Sequence, residues 1–444
     1  MGSAGGGVAR LWWWLGAGFA VLGLGMCLWR GVWPALQPGW SRDLVVIYGG
    51  VRAWWEGSDP YALEVALAAL RAGGGAWTME SWRYLILYPP SMMVLLSPLG
   101  AMGFREAVWV VWAGNVAATA AIVAGLLRLT GLGFRSAAGL ALVGFVLAMA
   151  PTHTSFRMGQ VTLPAVALVV WFLVLESRGR FVWSGVLLGL GMALKPQMAG
   201  LFVLWLAYRR RWGGTAAALG VSLGLLGLGA LRIEMTGADW WSGWRENVAV
   251  FGEGGKGDPR PSVNDSAYQL VNLESAVHGL GSFGLNAVRM GAWVLLGAVG
   301  CAIWWWAARA GRRPGDRLLV AGALGLVSLL AVYHRAYDAV LAVFALGWAA
   351  SAAMGCAQAG PPGRDVARER GLGWAVLVML GTLLIPWGPV AHAVVGPRLP
   401  AGLREGVLWV GVVTPMQAWS MLGSLLVLAW VMWRRSRRSA AERV

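Results

Sequence analysis

The chain has 444 residues, of which 58% are hydrophobic and 13% are charged, and its mean hydropathy is +0.62. A soluble protein usually has about a quarter of its residues charged, so this composition excludes a soluble globular fold. Apolar runs close to the roughly 20 residues that cross a bilayer as a helix recur along the whole chain. The composition therefore predicts an all-α polytopic membrane protein.

The net charge of +16 does not indicate a nucleic-acid partner, because the basic residues are divided into short clusters between apolar runs. These clusters are Arg178 with Arg180, Arg209–Arg211, Arg309 to Arg317, and Arg434 to Arg438. Basic loops of this kind stay on the cytoplasmic side and orient the spans. We therefore expect these four clusters, and the C-terminal end, to lie inside.

Thirteen apolar segments follow one another along the chain. They cover residues 11–33, 86–103, 106–128, 136–151, 161–176, 182–195, 197–208, 214–232, 287–309, 316–333, 338–357, 371–395 and 407–433. If both ends of the chain are inside, the number of crossings is even, so about 12 transmembrane helices are expected. The segment that does not cross is either 86–103, which is rich in proline, or 136–151, which is short.

The segments between these spans predict one transmembrane domain over residues 1–444, with two large external loops at 34–85 and 233–286. Segments 182–195 and 197–208 are short and are separated by Pro196. Proline-interrupted segments in membranes often line a cavity. These two segments therefore predict a broken hairpin whose tip reaches toward the outer side.

Polar and ionisable side chains collect on the predicted outer side of the spans. They are Asp43, Asp59, Tyr88, His153, Arg157, Gln160, Lys195, His334, Arg335, Tyr337 and Asp338. Ionisable groups at membrane depth are costly and usually line functional cavities. We therefore expect one polar cavity that is open to the outer face.

Local structural roles are an alternative for several of these residues. Asp59 stands in "GSDPY", which is typical of a turn, and Asp43 can be a solvated loop carboxylate. Lys195 can extend its ammonium group to the interface. Arg335 and Asp338, one helical turn apart, can simply pair with each other.

An ordered series of short motifs resembles the membrane-embedded GT-C glycosyltransferases, and most closely the polyprenyl-phosphate-mannose-dependent mannosyltransferases of glycosyltransferase family 87. After a first span come "RDLVVIYGGVRAWWEGSDPY", "YPPSMMVLLSPLG", "MGQVTLPAVAL", "GMALKPQ", "VNDSAYQLV" and "YHRAYDAVL". The likeness extends over residues 40–345. It departs from the family at Thr162, where asparagine is common.

The resemblance implies a GT-C-like helical bundle with interfacial helices in the first external loop. The tryptophans of that loop, Trp54, Trp55, Trp77 and Trp82, would lie along the interface and stack on sugar. The implied reaction is an inverting transfer of a hexose, expected to be mannose, from a polyprenyl-phosphate sugar donor to a lipid or glycan acceptor. It would take place on the outer face of the cell membrane, among membrane lipids.

The resemblance also assigns roles to individual residues. Asp43 is the expected general base, since a carboxylate within hydrogen-bond reach can accept the proton of an acceptor hydroxyl. The expected ligands of the donor phosphate are Lys195, Arg157, Arg335 and His334. The expected substrate-binding residues are Asp59, Tyr88, His153, Gln160, Tyr337 and Asp338. No cofactor and no metal are expected; one ion held by Asp43 and Asp338 is the alternative.

Two other function classes fit part of the same pattern. A transporter or flippase of lipid-linked sugars would place ionisable residues along a path through the membrane, ideally with an inverted repeat. An acyltransferase or ligase of cell-envelope lipids would use a histidine with a carboxylate, which "HRAYD" at 334–338 could supply.

Overall fold

The computed structural model describes residues 4–37, 41–76, 85–281, 284–309, 314–355, 364–404 and 406–441. Trp77 and Trp82, which were expected at the interface, lie outside these described residues. In the described part of the chain the regular structure is helical, apart from one isolated β-bridge between Leu270 and Arg335. The all-α prediction is confirmed.

The α-helices of the described residues range in length from 3 to 27 residues. The first are Ala4–Cys27 (α1), Trp33–Ala35 (α2), Arg42–Trp55 (α3), Leu63–Ala72 (α4), Pro90–Gly100 (α5), Phe104–Thr130 (α6), Ala137–Ala148 (α7) and Ala150–Met158 (α8). The next are Thr162–Ser177 (α9), Phe181–Leu194 (α10), Pro196–Ala199 (α11), Leu201–Tyr208 (α12), Trp212–Glu234 (α13), Trp240–Gly252 (α14), Leu273–His278 (α15) and Leu285–Arg309 (α16). The last are Pro314–Ala331 (α17), Val343–Ala353 (α18), Arg364–Leu380 (α19), Trp387–Val390 (α20), Ala401–Arg404 (α21) and Met416–Ala441 (α22).

Short 3₁₀ and π segments connect or extend these helices. The π segments are Leu28–Val32, Ala391–Val395 and Leu408–Val413, and the 3₁₀ segments are Ala267–Gln269, Ala336–Ala342, Gly381–Leu384 and Gly396–Arg398.

Six helical stretches among the described residues are long and apolar enough to cross a membrane, and two bent helix pairs raise the number to eight. The six are Ala9–Ala35, Phe104–Thr130, Trp212–Glu234, Leu285–Trp306, Ala336–Ala353 and Met416–Arg437. The two bent pairs combine Ala137–Ala148 with Ala150–Met158 and Val366–Leu384 with Trp387–Arg398. The chain is thus a multi-pass helical membrane protein, whereas the count of about 12 spans and the interfacial position of α3 and α4 remain predictions.

The short helices explain why the sequence suggests more spans than these. Four apolar helices have only 10–17 residues, namely Pro90–Gly100, Thr162–Ser177, Phe181–Leu194 and Pro196–Tyr208. Of the two segments between which the sequence could not decide, 86–103 contains the shorter helix, because α5 has 11 residues. At 1.5 Å per residue such a helix extends about 16 Å, roughly half of a 30 Å hydrocarbon core.

The chain divides into two compact units. Unit 1 consists of residues 1–27, 122–153 and 259–444, and unit 2 consists of residues 28–121 and 154–258.

Unit 2 is built around α3, which packs against α4 and α5, and around α10, which packs against α9 and α13. The buried residues of α3 include Leu44, Ile47, Tyr48 and Val51, a spacing of three and four residues that places them on one helix face. The Tyr48 hydroxyl also donates a hydrogen bond of 2.8 Å to the carbonyl of Met102. The start of α3 is therefore held by the core of the unit.

In unit 1, α17, α18, α19 and α22 pack together, and α18 is buried on nearly all sides. An ion-pair cluster joins three of these helices. The Arg435 guanidinium of α22 donates two hydrogen bonds to Glu369 of α19, at 3.0 and 2.6 Å, and one to Asp316 of α17, at 2.5 Å. One largely buried arginine thus bridges carboxylates from two neighbouring helices.

Replacing this arginine tests its contribution to stability. We expect Arg435→Gln to lower the unfolding free energy by about 3 kcal/mol, because removing one member of a buried ionic network leaves the other charges uncompensated. Thermal unfolding in detergent measures the change. Arg437→Gln is the matched control, since Arg437 lies two residues away with an exposed side chain. Equal melting temperatures for the two variants would contradict the expected role of the cluster.

Candidate active site

Asp43 lies in the first turn of α3 and is half-buried. The neighbouring Leu44 is buried in the core of unit 2, so the backbone at the start of the helix cannot rotate freely. One carboxylate oxygen of Asp43, Oδ2, accepts a hydrogen bond of 2.5 Å from Nε2 of Gln160. The reactive group proposed from the sequence is therefore held in place by a residue 117 positions later in the chain.

The turn that ends α8 brings Gln160 to Asp43. The Gln160 N–H donates to the carbonyl of Ser155 at 3.0 Å, and the Gly159 N–H donates to that of Phe156 at 3.1 Å. This is the Schellman pattern, which requires a left-handed residue directly after the helix. Gly159 supplies it with φ +67°, and a Cβ at this position would lie 2.6 Å from Cβ of Leu44. Glycine therefore permits both the turn and its close approach to α3.

Tyr88, the first residue of the second motif, belongs to the same group. Its hydroxyl donates a hydrogen bond of 3.1 Å to Oε1 of Gln160, and its carbonyl accepts one of 2.8 Å from the hydroxyl of Tyr61. Oδ1 of Asp59 accepts a hydrogen bond of 2.9 Å from the backbone N–H of Tyr61. Burial, together with the nearby charge of Asp59, raises the pKa of Tyr61 well above its usual value. Tyr61 therefore keeps its proton and remains a hydrogen-bond donor.

Lys195 lies at the break between α10 and α11 and is buried. Its Nζ donates a hydrogen bond of 2.8 Å to Oγ1 of Thr162, the first residue of α9. The Ser91 hydroxyl of α5 donates one of 2.9 Å to the carbonyl of Ala193, just before the break. Because Thr162 follows Gln160 by two residues, one short stretch of chain bonds to both Asp43 and Lys195.

Three arginines of unit 2 add positive charge near the start of α3. Arg157 is in the last turn of α8, and the charges of Arg42 and Arg30 are close enough to Arg157 to repel it. Arg42 directly precedes Asp43 in the sequence. A site rich in guanidinium groups suits phosphate, which arginine can bind through two parallel hydrogen bonds.

The far end of α3 is also fixed. Arg232 of α13 donates hydrogen bonds to the carbonyls of Trp54, at 2.9 Å, and Trp55, at 2.6 Å. Nε1 of Trp54 donates one of 3.1 Å back to the carbonyl of Gly229. A cation at the C-terminal end of a helix satisfies its last carbonyls and is favoured by the helix dipole. The helix that carries Asp43 is thus anchored at both ends.

The late motif forms a second group, which lies in unit 1. Nδ1 of His334 is 3.0 Å from Oδ2 of Asp338. His334 is fully buried, and its Nε2 has no hydrogen-bond partner in the described part of the chain. The Nε of Arg335 donates a hydrogen bond of 2.6 Å to the hydroxyl of Tyr333. Tyr337 is buried in the 3₁₀ segment Ala336–Ala342, which also contains Asp338.

The structure therefore sorts the expected site residues into groups. Asp43, Gln160 and Tyr88 are joined by direct hydrogen bonds, and Lys195 and Asp59 are tied to the same segments through Thr162 and Tyr61. In unit 1, His334 and Asp338 are joined, with Arg335 and Tyr337 beside them in the chain. His153, also in unit 1, has its Nε2 at 2.6 Å from the carbonyl of Leu147.

Sequence reasoning did not identify Thr162, Tyr61 and Arg42 as parts of the site. Thr162 was visible only as a departure from the family motif, and Tyr61 only as the last residue of the "GSDPY" turn. Arg42 had a usable signal, since it stands beside the expected base. In chemical terms, unit 2 combines an oriented carboxylate that can accept a proton with cations that can bind a phosphate.

Comparisons with known proteins show what the chain as a whole is similar to. The family model described as glycosyltransferase family 87 matches residues 86–333, which is more than half of the chain. A curated protein of Mycolicibacterium smegmatis is 26% identical over 307 residues, which cover 68% of this chain and 67% of that protein. It is described as a polyprenol-phosphate-mannose-dependent alpha-(1-2)-phosphatidylinositol pentamannoside mannosyltransferase. No solved structure matches the chain.

Proposed function

Because the chain belongs to glycosyltransferase family 87, and is therefore a membrane glycosyltransferase, we propose that it transfers a hexose from a polyprenyl-phosphate sugar. Mannose is the proposed sugar and a lipid or glycan hydroxyl the proposed acceptor. Both proposals are supported by the description of the relative from Mycolicibacterium smegmatis, whose donor is polyprenol-phosphate-mannose and whose acceptor is a glycolipid.

Asp43 is the proposed general base of the reaction. The acceptor oxygen attacks the anomeric carbon while the bond from that carbon to the phosphate oxygen breaks, which inverts the configuration. The acceptor proton passes to the carboxylate, and the electron pair of the broken bond leaves with the polyprenyl phosphate. The observation that carries this proposal is the 2.5 Å hydrogen bond from Gln160 to Asp43, because it holds a carboxylate in one orientation inside the unit that also contains Lys195.

The leaving phosphate gains negative charge in the transition state, and cations that meet this charge lower the barrier. Lys195 and Arg157 are the proposed phosphate ligands of unit 2. His334 and Arg335, which lie in unit 1, are the other two expected cations, and their side chains are oriented within that unit by Asp338 and Tyr333. Asp59 in unit 2, and His153, Tyr337 and Asp338 in unit 1, are proposed as substrate-binding residues.

We place the reaction on the outer face of the cell membrane. The support is the distribution of charge in the sequence. The basic clusters favour the cytoplasmic side, and the expected site residues stand near the opposite ends of the predicted spans. Family membership supports glycosyl transfer over the transporter and acyltransferase hypotheses. The His334–Asp338 pair, which the acyltransferase hypothesis needed, then serves phosphate binding.

The proposal is tested with purified full-length protein in nanodiscs. Radiolabelled mannose is offered as polyprenyl-phosphate-mannose or as nucleotide-linked mannose, together with a glycolipid extract as acceptor. We expect transfer from the polyprenyl donor alone and a product of inverted anomeric configuration. Transfer from the nucleotide sugar alone would contradict the proposed donor, and retention of configuration would contradict the single displacement.

A further inference from the structure

We propose that Gln160 is a positioning residue for Asp43 and not a substrate ligand, and that Tyr88 fixes the orientation of its amide. The inference rests on the proposed role of Asp43 as the base. It assigns a function to the glutamine of the "GQ" pair that neither the family match nor the relative states.

Both ends of the Gln160 amide are used inside the protein. Its Oε1 accepts the hydrogen bond from the Tyr88 hydroxyl, and its Nε2 donates to Oδ2 of Asp43. The residue is 1% exposed, which leaves almost no surface for a sugar. A side chain that recognised the substrate by hydrogen bonding would need a free polar atom directed toward the substrate.

The orientation of the amide follows from the chemistry of its neighbours. An ionised carboxylate only accepts hydrogen bonds, so the atom facing Asp43 must be the nitrogen. The oxygen then faces Tyr88, whose hydroxyl can donate. If the hydroxyl were absent, the amide oxygen would be buried without this partner, and the amide would be free to rotate away from Asp43.

The backbone of Gln160 is held in a fixed position relative to Asp43. Its own N–H is part of the turn after α8, and Gly159 brings that turn against Leu44, the residue after Asp43. The donor and the carboxylate are thus fixed on neighbouring backbone segments. Placing a functional group on rigid elements and holding it with a second layer of hydrogen bonds is what precise positioning requires.

This arrangement divides the two oxygens of Asp43 between two tasks. Oδ2 is occupied by Gln160, so Oδ1 is the atom that takes the proton from the hydroxyl group of the acceptor. During transfer the O–H bond of the acceptor breaks and an O–H bond to Oδ1 forms, while Oδ2 stays bonded to the amide. Without Gln160 the carboxylate could rotate about its χ angles, and fewer encounters would present Oδ1 at the attacking oxygen.

The test is a double-mutant cycle of Gln160→Met and Tyr88→Phe, with kcat and KM measured for the donor and the acceptor. Methionine is similar in length and removes both hydrogen bonds. A misplacement of about 1 Å can cost as much as 10²-fold in rate, so we expect Gln160→Met to lower kcat by about 10- to 100-fold. Neither KM should change by more than about twofold, because no substrate contact is lost.

The second variant tests whether Tyr88 acts on Asp43 through Gln160, which we call the relay, or only through general packing. Tyr88→Phe removes a single oxygen atom, so it remains informative even if Gln160→Met folds poorly. We expect it to lower kcat in the wild-type background and to have no further effect when Gln160 is already methionine. Additive effects on kcat would overturn the relay, and an increase of KM with unchanged kcat for either variant would show that the residue binds substrate.

Two controls complete the experiment. Gln417→Met removes a buried glutamine of unit 1 that donates to the carbonyls of Thr382 and Ile385, and kcat should be unchanged. Asp43→Asn, assayed in parallel, distinguishes the two proposals. Full activity of Asp43→Asn would overturn the assignment of the base, whereas an inactive Asp43→Asn beside a fully active Gln160→Met would overturn only the positioning role.

Discussion

Asp43→Asn is expected to lower kcat for sugar transfer by about 10² to 10⁴, the usual contribution of a positioned general base. The asparagine retains a carbonyl oxygen that can still accept the hydrogen bond from Nε2 of Gln160. The geometry of the site should therefore persist, while the ability to take a proton is lost. Because the change leaves size and shape nearly constant, KM should stay close to the wild-type value.

A matched carboxylate controls for charge and folding in this experiment. Asp239 caps α14 in unit 2 by accepting hydrogen bonds from the N–H groups of Trp241 and Ser242. Asparagine caps helices as well as aspartate does, so Asp239→Asn should transfer sugar at the wild-type rate. If Asp43→Asn retained more than about a third of wild-type kcat, Asp43 could not be the base, since loss of a base costs far more.

Lys195→Met is expected to have the second largest effect, a loss of about 10² to 10³ in kcat, which is the cost of removing one group that stabilises developing negative charge. Methionine occupies a similar volume without the ammonium group. The melting temperature, measured in parallel, distinguishes a loss of catalysis from a loss of stability. A slow enzyme with a melting temperature near that of the wild type is the expected outcome.

The chain offers a matched control, because it contains a second lysine, Lys256, in the loop after α14. Lys256→Met should leave kcat unchanged. Thr162→Val keeps the ammonium group but removes its hydroxyl partner, and we expect an intermediate loss of about 10-fold, since the charge is present but less well positioned. Wild-type kcat in Lys195→Met would refute the phosphate role, and a fall in melting temperature that accounts for all lost activity would assign Lys195 to stability.

The candidate site could be predicted in part from the sequence. Asp43, Tyr88, Gln160 and Lys195 all stand in motifs that the resemblance to family 87 identifies, and the structure brings their segments together. Their roles were less accessible. Gln160 was predicted to bind substrate, and its hydrogen bonds to Tyr88 and Asp43 are the reason why we propose a positioning role instead. Thr162 was noted only as a departure from the family motif, although it bonds to Lys195.

The fold shows the same division. Continuous apolar runs predict helices, and 86–103 and 182–208 correctly stand out as short or proline-broken. The number of crossings was harder to predict, because hydropathy does not tell a full span from a helix of 11 residues such as α5. The break at Lys195, with φ −155°, is one that the local sequence does indicate, because Pro196 disfavours a helical conformation in the residue before it.

The sequence by itself determined that this protein is helical and membrane-embedded, because within lipid the backbone must satisfy its own hydrogen bonds and continuous apolar runs can do so as helices. It also determined which polar residues are costly to place at membrane depth and therefore suggest a function. Only the tertiary structure decided which of them meet. The contact between Asp43 and Gln160 joins residues 117 positions apart and depends on the packing of Leu44 and the left-handed turn at Gly159, neither of which local sequence can specify.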